Sequence, residues 1–304
     1  MSQRRVLLVT HGGRDEAVTL AREVAQELVD AGIQVVTATD EVADLQQSSV
    51  VSVEPESAAE GCELVVVLGG DGTILRGAEL ARPFDIPMLG VNLGHVGFLA
   101  EAEVDGLSTV VRAVVDRRWE VEERTTLDVV VTLGGVVTAR SWALNEASVE
   151  KVSRDRMLDV LVEVDGRPLS RWGCDGVIAA TPTGSTAYAF SAGGPVVWPE
   201  VEALLVVPIS AHALFARPIV VSPASEIAVD VLVSNQSGAV MWCDGRRLVE
   251  LPPGSRVSVT RHQTPVRLAR LHRAPFTDRL VAKFDLPVAG WRGQRRRGDS
   301  GSSS

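Results

Sequence analysis

Glu63-Leu-Val-Val-Val-Leu-Gly-Gly-Asp-Gly-Thr73 decides the fold of this chain. Leu64–Leu68 is an unbroken apolar run of strand length closed by a turn signal, the pattern of a strand buried on both faces. It ends in Gly69-Gly70-Asp71-Gly72, and a helical pattern opens near Thr73 and runs to Arg82. A strand passing through glycines into a helix is the unit of parallel α/β sheets. Glycines let the backbone approach a ligand and adopt positive φ. The helix N-terminus beyond them offers free N–H groups suited to phosphate. Asp71 then stands at the carboxyl end of a parallel strand, where open α/β sheets bind ligands. The plainer reading of the same residues is a tight strand–helix turn with Asp71 as its N-cap.

The same grammar extends on both sides. Arg5–Thr10 reads as a buried strand, and Asp15–Asp30 as an amphipathic helix stopped by Gly32. Strand-like runs follow at Ile33–Thr37, Val50–Val53 and Met88–Val91, then a helix at Leu107–Arg117. From about Trp119 the pattern changes. Leu127–Leu133, Val136–Leu144, Met157–Val164, Ile227–Val233, Val240–Trp242 and Arg256–Val259 are β-branched runs, with Asp165-Gly166 and Asp244-Gly245 as turn dipeptides. The expected architecture is an N-terminal Rossmann-like parallel α/β domain over 1–122, followed by a mainly-β domain over 123–272. Phe276–Phe284 reads as a short helix that returns the chain, over about 273–291, to the first domain. Residues 292–304 are polar, without core-forming side chains, and are expected to form a disordered tail.

Composition narrows the function classes. The chain has 304 residues, 45% hydrophobic and 23% charged, with 30 Lys+Arg against 39 Asp+Glu for a net charge of −9. That length supports two cores. An acidic surface excludes general nucleic-acid binding, which needs a basic footprint. No stretch approaches the ~18 apolar residues of a membrane span. The short apolar run after Arg4-Arg5 reads as a buried strand rather than a secretory leader. Cys62, Cys174 and Cys243 are dispersed, as expected of reduced thiols in a cytoplasmic protein. There is no HExxH and no CxxC, so a protein-built zinc site is not expected.

Two further segments carry chemistry. Asp175-Gly176-Val-Ile-Ala-Ala-Thr-Pro-Thr-Gly-Ser-Thr-Ala-Tyr188 continues through Ser191 to Gly193-Gly194, with no charged residue between Asp175 and Glu200. Its hydroxyls, including Thr181, Thr183, Ser185, Thr186, Tyr188 and Ser191, can hydrogen-bond ribose, carboxamide or phosphate oxygens. A glycine-rich connector with a capped helix is the plainer reading. Asn145-Glu146 ends a strand, and Asn92-Leu-Gly-His-Val-Gly-Phe98 is a glycine-rich loop after another; alone, each is a polar strand end or a surface turn. Arg76 and Arg156 are equally mute in isolation. No Gly-Lys pair exists, so there is no P-loop, and no glycine follows Gly70-Asp71-Gly72 at the offset of a dehydrogenase fingerprint.

Together these motifs resemble the NAD kinase family. The resemblance rests on Gly69–Thr73, Gly90–Phe98, Asn145-Glu146, Cys174-Asp175-Gly176, Thr181–Tyr188, His212-Ala-Leu-Phe-Ala-Arg-Pro218, and the closing Phe276, Leu280, Lys283-Phe284 and Gly290-Trp291. It spans roughly Arg5 to Trp291. Gly-Gly-Asp-Gly-Thr alone is shared with lipid kinases and 6-phosphofructokinases; the Thr-Pro-Thr-Gly-Ser-Thr-Ala-Tyr run with upstream Asn-Glu is much narrower. The actinobacterial version is the most similar.

The resemblance implies transfer of the γ-phosphoryl of ATP, with inorganic polyphosphate as a further donor, to the 2′-hydroxyl of the adenosine ribose of NAD. It implies Asp71 as general base, with Mg²⁺ or another divalent ion carried on the nucleotide phosphates. Gly69, Gly70, Gly72, Thr73 and Arg76 match the ATP and phosphate contacts. Gly72, Arg76, Phe98, Asn145, Glu146, Arg156, Asp175, Thr183, Thr186, Ala187, Tyr188, Ala189, Phe190 and Ser191 match the NAD contacts. A homodimer or homotetramer is implied, with Asp175 close to a second subunit. Two alternatives share parts of the pattern: a lipid kinase, which would need an apolar acceptor pocket, and a non-catalytic NAD sensor.

Overall fold

The computed structural model describes residues 3–10, 15–39, 49–93, 97–100, 102–103, 107–235, 237–271 and 275–288. Gly290, Trp291 and the 292–304 segment lie outside them, as do Gly94, His95 and Val96 of the loop before Phe98.

The first sheet has eight strands: β1 (Arg5–Thr10), β2 (Gln34–Ala38), β3 (Val50–Val53), β4 (Leu64–Leu68), β5 (Met88–Asn92), β6 (Ala102–Glu103), β7 (Glu120–Arg124) and β20 (Val266–Arg270). Their order is β3-β2-β1-β4-β5-β20-β7, with β6 also on β5. All pairs are parallel except β20 with β7. The chain runs outward from β1 to β3, then crosses back to β4. The turn after β4 thus opens at the topological switch point, where open α/β sheets form a crevice. All five residues of β4 are buried, because helices cover both faces. On one face, α1 (Asp15–Asp30) and α3 (Leu107–Asp116) pack through Val24, Leu28, Val110 and Val114; on the other lies α2 (Asp71–Ala81), through Ile74 and Ala78.

The middle of the chain forms two six-stranded antiparallel sheets. One contains β15 (Ile219–Val221), β14 (Leu204–Ile209), β13 (Gly176–Ala180), β10 (Glu146–Lys151), β17 (Ala239–Cys243) and β18 (Arg247–Leu251), in that spatial order. The other runs β12 (Arg167–Cys174), β11 (Leu158–Val164), β16 (Ile227–Val231), β19 (Ser255–Arg261), β8 (Leu127–Leu133) and β9 (Val136–Ala143). Alternate residues of β8 and β11 are buried against Ala147, Val149, Val206 and Met241 of the facing sheet, with Trp172 enclosed between them. That alternation is the signature of a sheet with one wet face. The first sheet of the pair is buried on its other face as well. There Ile178, Ala180, Leu205 and Val207 are covered by Ala189 of the one-turn helix α4 (Tyr188–Ser191). The hydroxyl-rich segment is therefore clamped to the sheet.

Two features differ from the sequence reading. The return to the first sheet begins at Val266, inside the range expected for the β half, because β20 fills the slot between β5 and β7 before α5 (Phe276–Phe284) begins. The helix after β4 starts at Asp71, two residues earlier than expected, with Gly70 as its N-cap. Among the described residues no helix is long and apolar enough to cross a membrane.

Candidate active site

The turn after β4 is built by close approach. Gly69 has no room for a side chain, since a Cβ would overlap the Thr73 hydroxyl. The Gly69 amide bonds Val91 O at 2.9 Å, while Thr73 and Ile74 amides close on Gly70 O at 3.0 and 3.1 Å. None of Gly69, Gly70 and Gly72 has positive φ, so the expected left-handed backbone is not what these glycines supply. A Cβ at Gly70 or Gly72 would meet nothing within 4 Å. What these two glycines leave is open space in front of a helix N-terminus, the setting that accepts phosphate.

Asp71 is the first helical residue and is not the N-cap, so its carboxylate is not spent on capping. It points instead at the segment after the glycine-rich loop. A Cβ at Gly97 would lie 2.5 Å from Asp71 Oδ1, and that oxygen is buried without a hydrogen-bond partner. Burial pushes the Asp71 carboxyl above its ordinary value, opposed by the Lys283 ammonium and the Leu99 and Phe98 amides. A buried carboxylate oxygen with no partner is costly and is found where chemistry needs it.

Helix α5 closes this side. The Phe98 ring lies 5.8 Å from Phe276 and 5.9 Å from Phe284, and Phe284 lies 4.7 Å from Phe190. Arg279 Nη1 donates to Phe98 O at 3.2 Å. The aromatic cluster joins the loop of the first sheet, the last helix and the hydroxyl-rich segment of the β half. In this conformation the rings of Phe98 and Phe190 pack against α5.

Asn145 and Glu146 sit at the junction of β9 and β10. Thr181 Oγ1 donates to Leu144 O at 2.6 Å, the Thr181 amide donates to Asn145 O at 2.9 Å, and the Gly184 amide returns to Thr181 Oγ1 at 3.1 Å. Gly184 packs directly on the Asn145 carbonyl, leaving no space for a Cβ. The Tyr188 amide donates to Glu146 Oε2 at 3.3 Å. Thr183 and Ser185 are buried; Thr186 is partly buried and donates to Thr183 O, while Ser191 and the Tyr188 ring are more open. Glu146 is 7% exposed, and burial beside Asp244 and Glu150 pushes its carboxyl up to about 8, against the Tyr188 amide.

Asp175 and Arg156 are placed elsewhere. Asp175 pairs with Lys151 Nζ at 2.5 Å, which holds its carboxyl below the ordinary value. Arg156 lines a small cavity with Lys151, Met157, Asp159 and Asn235. Glu146 and Lys151 are the two ends of β10, about 17 Å apart at the rise of an extended strand. Glu146 thus meets the 181–191 segment, which Phe190 and Phe284 join to Phe98 beside Asp71, while Asp175 and Arg156 stand at the far end of the same strand. Tyr188 lies between, within the fields of Glu146, Glu150 and Asp175.

Arg76 belongs to an ionic group on α2. Its Nη1 is 3.7 Å from Glu79 Oε2, and Glu79 also receives Arg246 Nε at 3.1 Å and a short contact from Arg247. Nothing in the sequence marked Glu79, Arg246 or Arg247, and Lys283 stood out only within the closing family match. The Asp244-Gly245 dipeptide signalled a turn, and the turn is there, with φ of 54° and 63°. Nothing in that signal says where the Asp244 carboxylate goes.

Comparison with known proteins gives the family. The ATP-NAD kinase N-terminal domain family matches residues 6–119, and the ATP-NAD kinase C-terminal domain family matches residues 144–271. The NAD kinase of Thermobifida fusca is 61% identical over 310 residues, covering 99% of this chain and 95% of the relative. NAD kinase 2 of Streptomyces coelicolor is 60% identical over 293 residues, covering 95% and 97%. Among solved structures, yeast NADH kinase complexed with NADH aligns with a TM-score of 0.85 at 23% identity, over 95% of this chain and 89% of that one. The Archaeoglobus fulgidus NAD kinase in complex with ATP aligns at 0.68 and 28% identity, over 92% and 98%. These findings support neither the lipid kinase nor the non-catalytic sensor. With both family domains matched in order, the Asp71 turn between strand and helix, and Asn145-Glu146 braced against the 181–191 segment, the chain belongs to the NAD kinase family.

Proposed function

We propose that the chain transfers the γ-phosphoryl of ATP to the 2′-hydroxyl of the adenosine ribose of NAD, with Asp71 as the proton acceptor. The observation that carries this reading is Asp71 Oδ1, buried and without a partner beside an open helix N-terminus. A ribose hydroxyl is a weak nucleophile, and a positioned carboxylate takes its proton as the new P–O bond forms. The donor phosphates would lie on the Gly70–Gly72 amides and Arg76, with Gly69 and Thr73 shaping the turn. Those groups fit phosphate oxygens; Mg²⁺ or another divalent ion would be held by the phosphates themselves and would neutralise part of their charge. The same anion-binding features suit inorganic polyphosphate as a donor.

NAD would lie along Asn145, Glu146 and the 183–191 segment, with Phe98 at the adenosine end. A carboxyl raised to about 8 is mostly protonated at neutral pH, so Glu146 donates a hydrogen bond as well as accepting one. The first sheet with its helices, which the chain rejoins at Val266, is proposed as the donor side, and the two antiparallel sheets as the acceptor side. A cytoplasmic location is proposed on the three cysteines, all buried and unpaired.

The chain, given ATP and NAD, is expected to form NADP, read by a coupled dehydrogenase. Asp71→Asn should keep the fold and NAD binding while kcat falls about 10²–10⁴-fold, roughly 3–5 kcal/mol in the barrier. Retention of half the wild-type kcat would remove Asp71 from the proton-acceptor role.

Glu146 gives a pH test. Its folded pKa stands above the unfolded one, so its contribution to stability is complete below the unfolded value and is lost as pH rises through about 8. Glu146→Gln lacks that loss. Its thermal midpoint should gain on wild type as pH is raised from about 6 to about 9. Parallel pH dependence of the two midpoints would show that Glu146 is not protonated in the fold.

A homodimer or homotetramer is proposed because Asp175 and Arg156, at the far end of β10, match NAD contacts that a second copy could complete. Light scattering across a dilution series should give at least a dimer mass at assay concentrations. A fully active monomer would contradict it.

A further inference from the structure

Asp244 is the buried carboxylate that no motif claims. It is 6% exposed, at the tip of the β17–β18 hairpin, yet its side chain reaches beyond the hairpin to the start of β10. Asp244 Oδ2 accepts from the Leu144 amide at 2.9 Å; Oδ1 accepts from the Asn145 amide at 2.7 Å and the Glu146 amide at 3.3 Å. The Asp244 amide donates back to Glu146 O at 2.9 Å. We infer that Asp244 is a positioning residue for NAD, holding the backbone of Asn145 and Glu146 so that their side chains face the acceptor ribose. This rests on the reading that Asn145 and Glu146 contact NAD.

The peptide between the two residues is held from both sides. Asp244 takes the amides, and Thr181 takes the carbonyls of Leu144 and Asn145. A strand end gripped in this way keeps its side chains within the narrow tolerance that binding geometry requires. Charge-assisted bonds to backbone amides are the strong kind, and removing the acceptor leaves buried donors unpaired.

Arg247 ties this clamp to the donor side. Its Nη2 donates to Asp244 Oδ2 and to Trp142 O, both at 2.8 Å, and its Nη1 reaches Glu79 on α2, the helix that begins with Asp71. Arg247 and Arg82 lie over the Trp142 ring at 4.6 and 4.4 Å. The helix carrying the base and the strand end carrying the NAD contacts therefore share one guanidinium. If Asp244 merely held the hairpin, its loss would lower stability and leave substrate selectivity alone.

The experiment uses the full chain, with steady-state kinetics in both substrates and a thermal midpoint for each variant. Asp244→Asn keeps one acceptor oxygen but places an NH₂ against the Leu144 amide and Arg247. It should raise KM for NAD about tenfold while KM for ATP stays within about twofold, and Asp244→Ala should raise it further. Should these variants fail to fold, Arg247→Gln, at a partly exposed side chain, is expected to raise KM for NAD about threefold and by more than it raises KM for ATP. A lowered midpoint with both KM values unchanged, or with both rising in parallel, would overturn the inference. Asn145→Ala is the control. If it leaves KM for NAD unchanged, the reading beneath the inference fails; if it raises KM for NAD and the Asp244 and Arg247 variants do not, the inference alone fails.

Discussion

The burial of one oxygen of the Asp71 carboxylate, at the first turn of α2, is the constraint on which the rest of the site depends. It arises because β4 is an all-apolar central strand that must end in a sharp turn, and because Gly69 lets Thr73 fold back onto that turn. The helix then starts on Asp71 itself, and its carboxylate is pushed against Gly97 and the Phe98 and Leu99 amides. Desolvation raises its proton affinity, and Lys283 and the amides keep that rise in check. Such a balance gives a carboxylate that is a better proton acceptor than a solvated one and is still ionisable.

The proposed reaction also requires the acceptor sugar to meet that oxygen, and this falls on contacts between distant parts of the chain. The β half contributes Asn145 and Glu146 from a strand end braced by Thr181 on one side and Asp244 on the other. Glu79, Arg247, Trp142 and Arg82 then join α2 to that strand end. On the opposite flank, Phe98, Phe284 and Phe190 join the loop, the last helix and the hydroxyl-rich segment. Two sets of contacts, one ionic and one aromatic, thus span the halves.

Local patterns made much of this legible. The all-buried β4 reads as an apolar run, β8 and β11 read as alternating ones, and α1 reads as a helical stripe ended by glycine, because each signal lies within a few residues. The Gly69–Thr73 turn was legible as a ligand-facing strand end for the same reason. Its glycines misled on one point: they serve close approach and open space, with no positive φ. Partnerships across long separations were not legible. The slot that β20 fills between β5 and β7 depends on strands more than a hundred residues away. The destination of the Asp244 carboxylate, across about a hundred residues to Leu144 and Asn145, leaves no periodicity to read. Asp175 and Arg156 matched the family pattern, yet their place at the far end of β10 emerges only from the sheet.

The most direct measurement is a structure of the chain with NAD bound. The 2′-oxygen of the adenosine ribose is expected within hydrogen-bond reach of Asp71 Oδ1, about 2.6–3.2 Å, with the ribose also held by Asn145 or Glu146. A 2′-oxygen turned towards the 181–191 segment, with Asp71 Oδ1 still enclosed by protein alone, would contradict it.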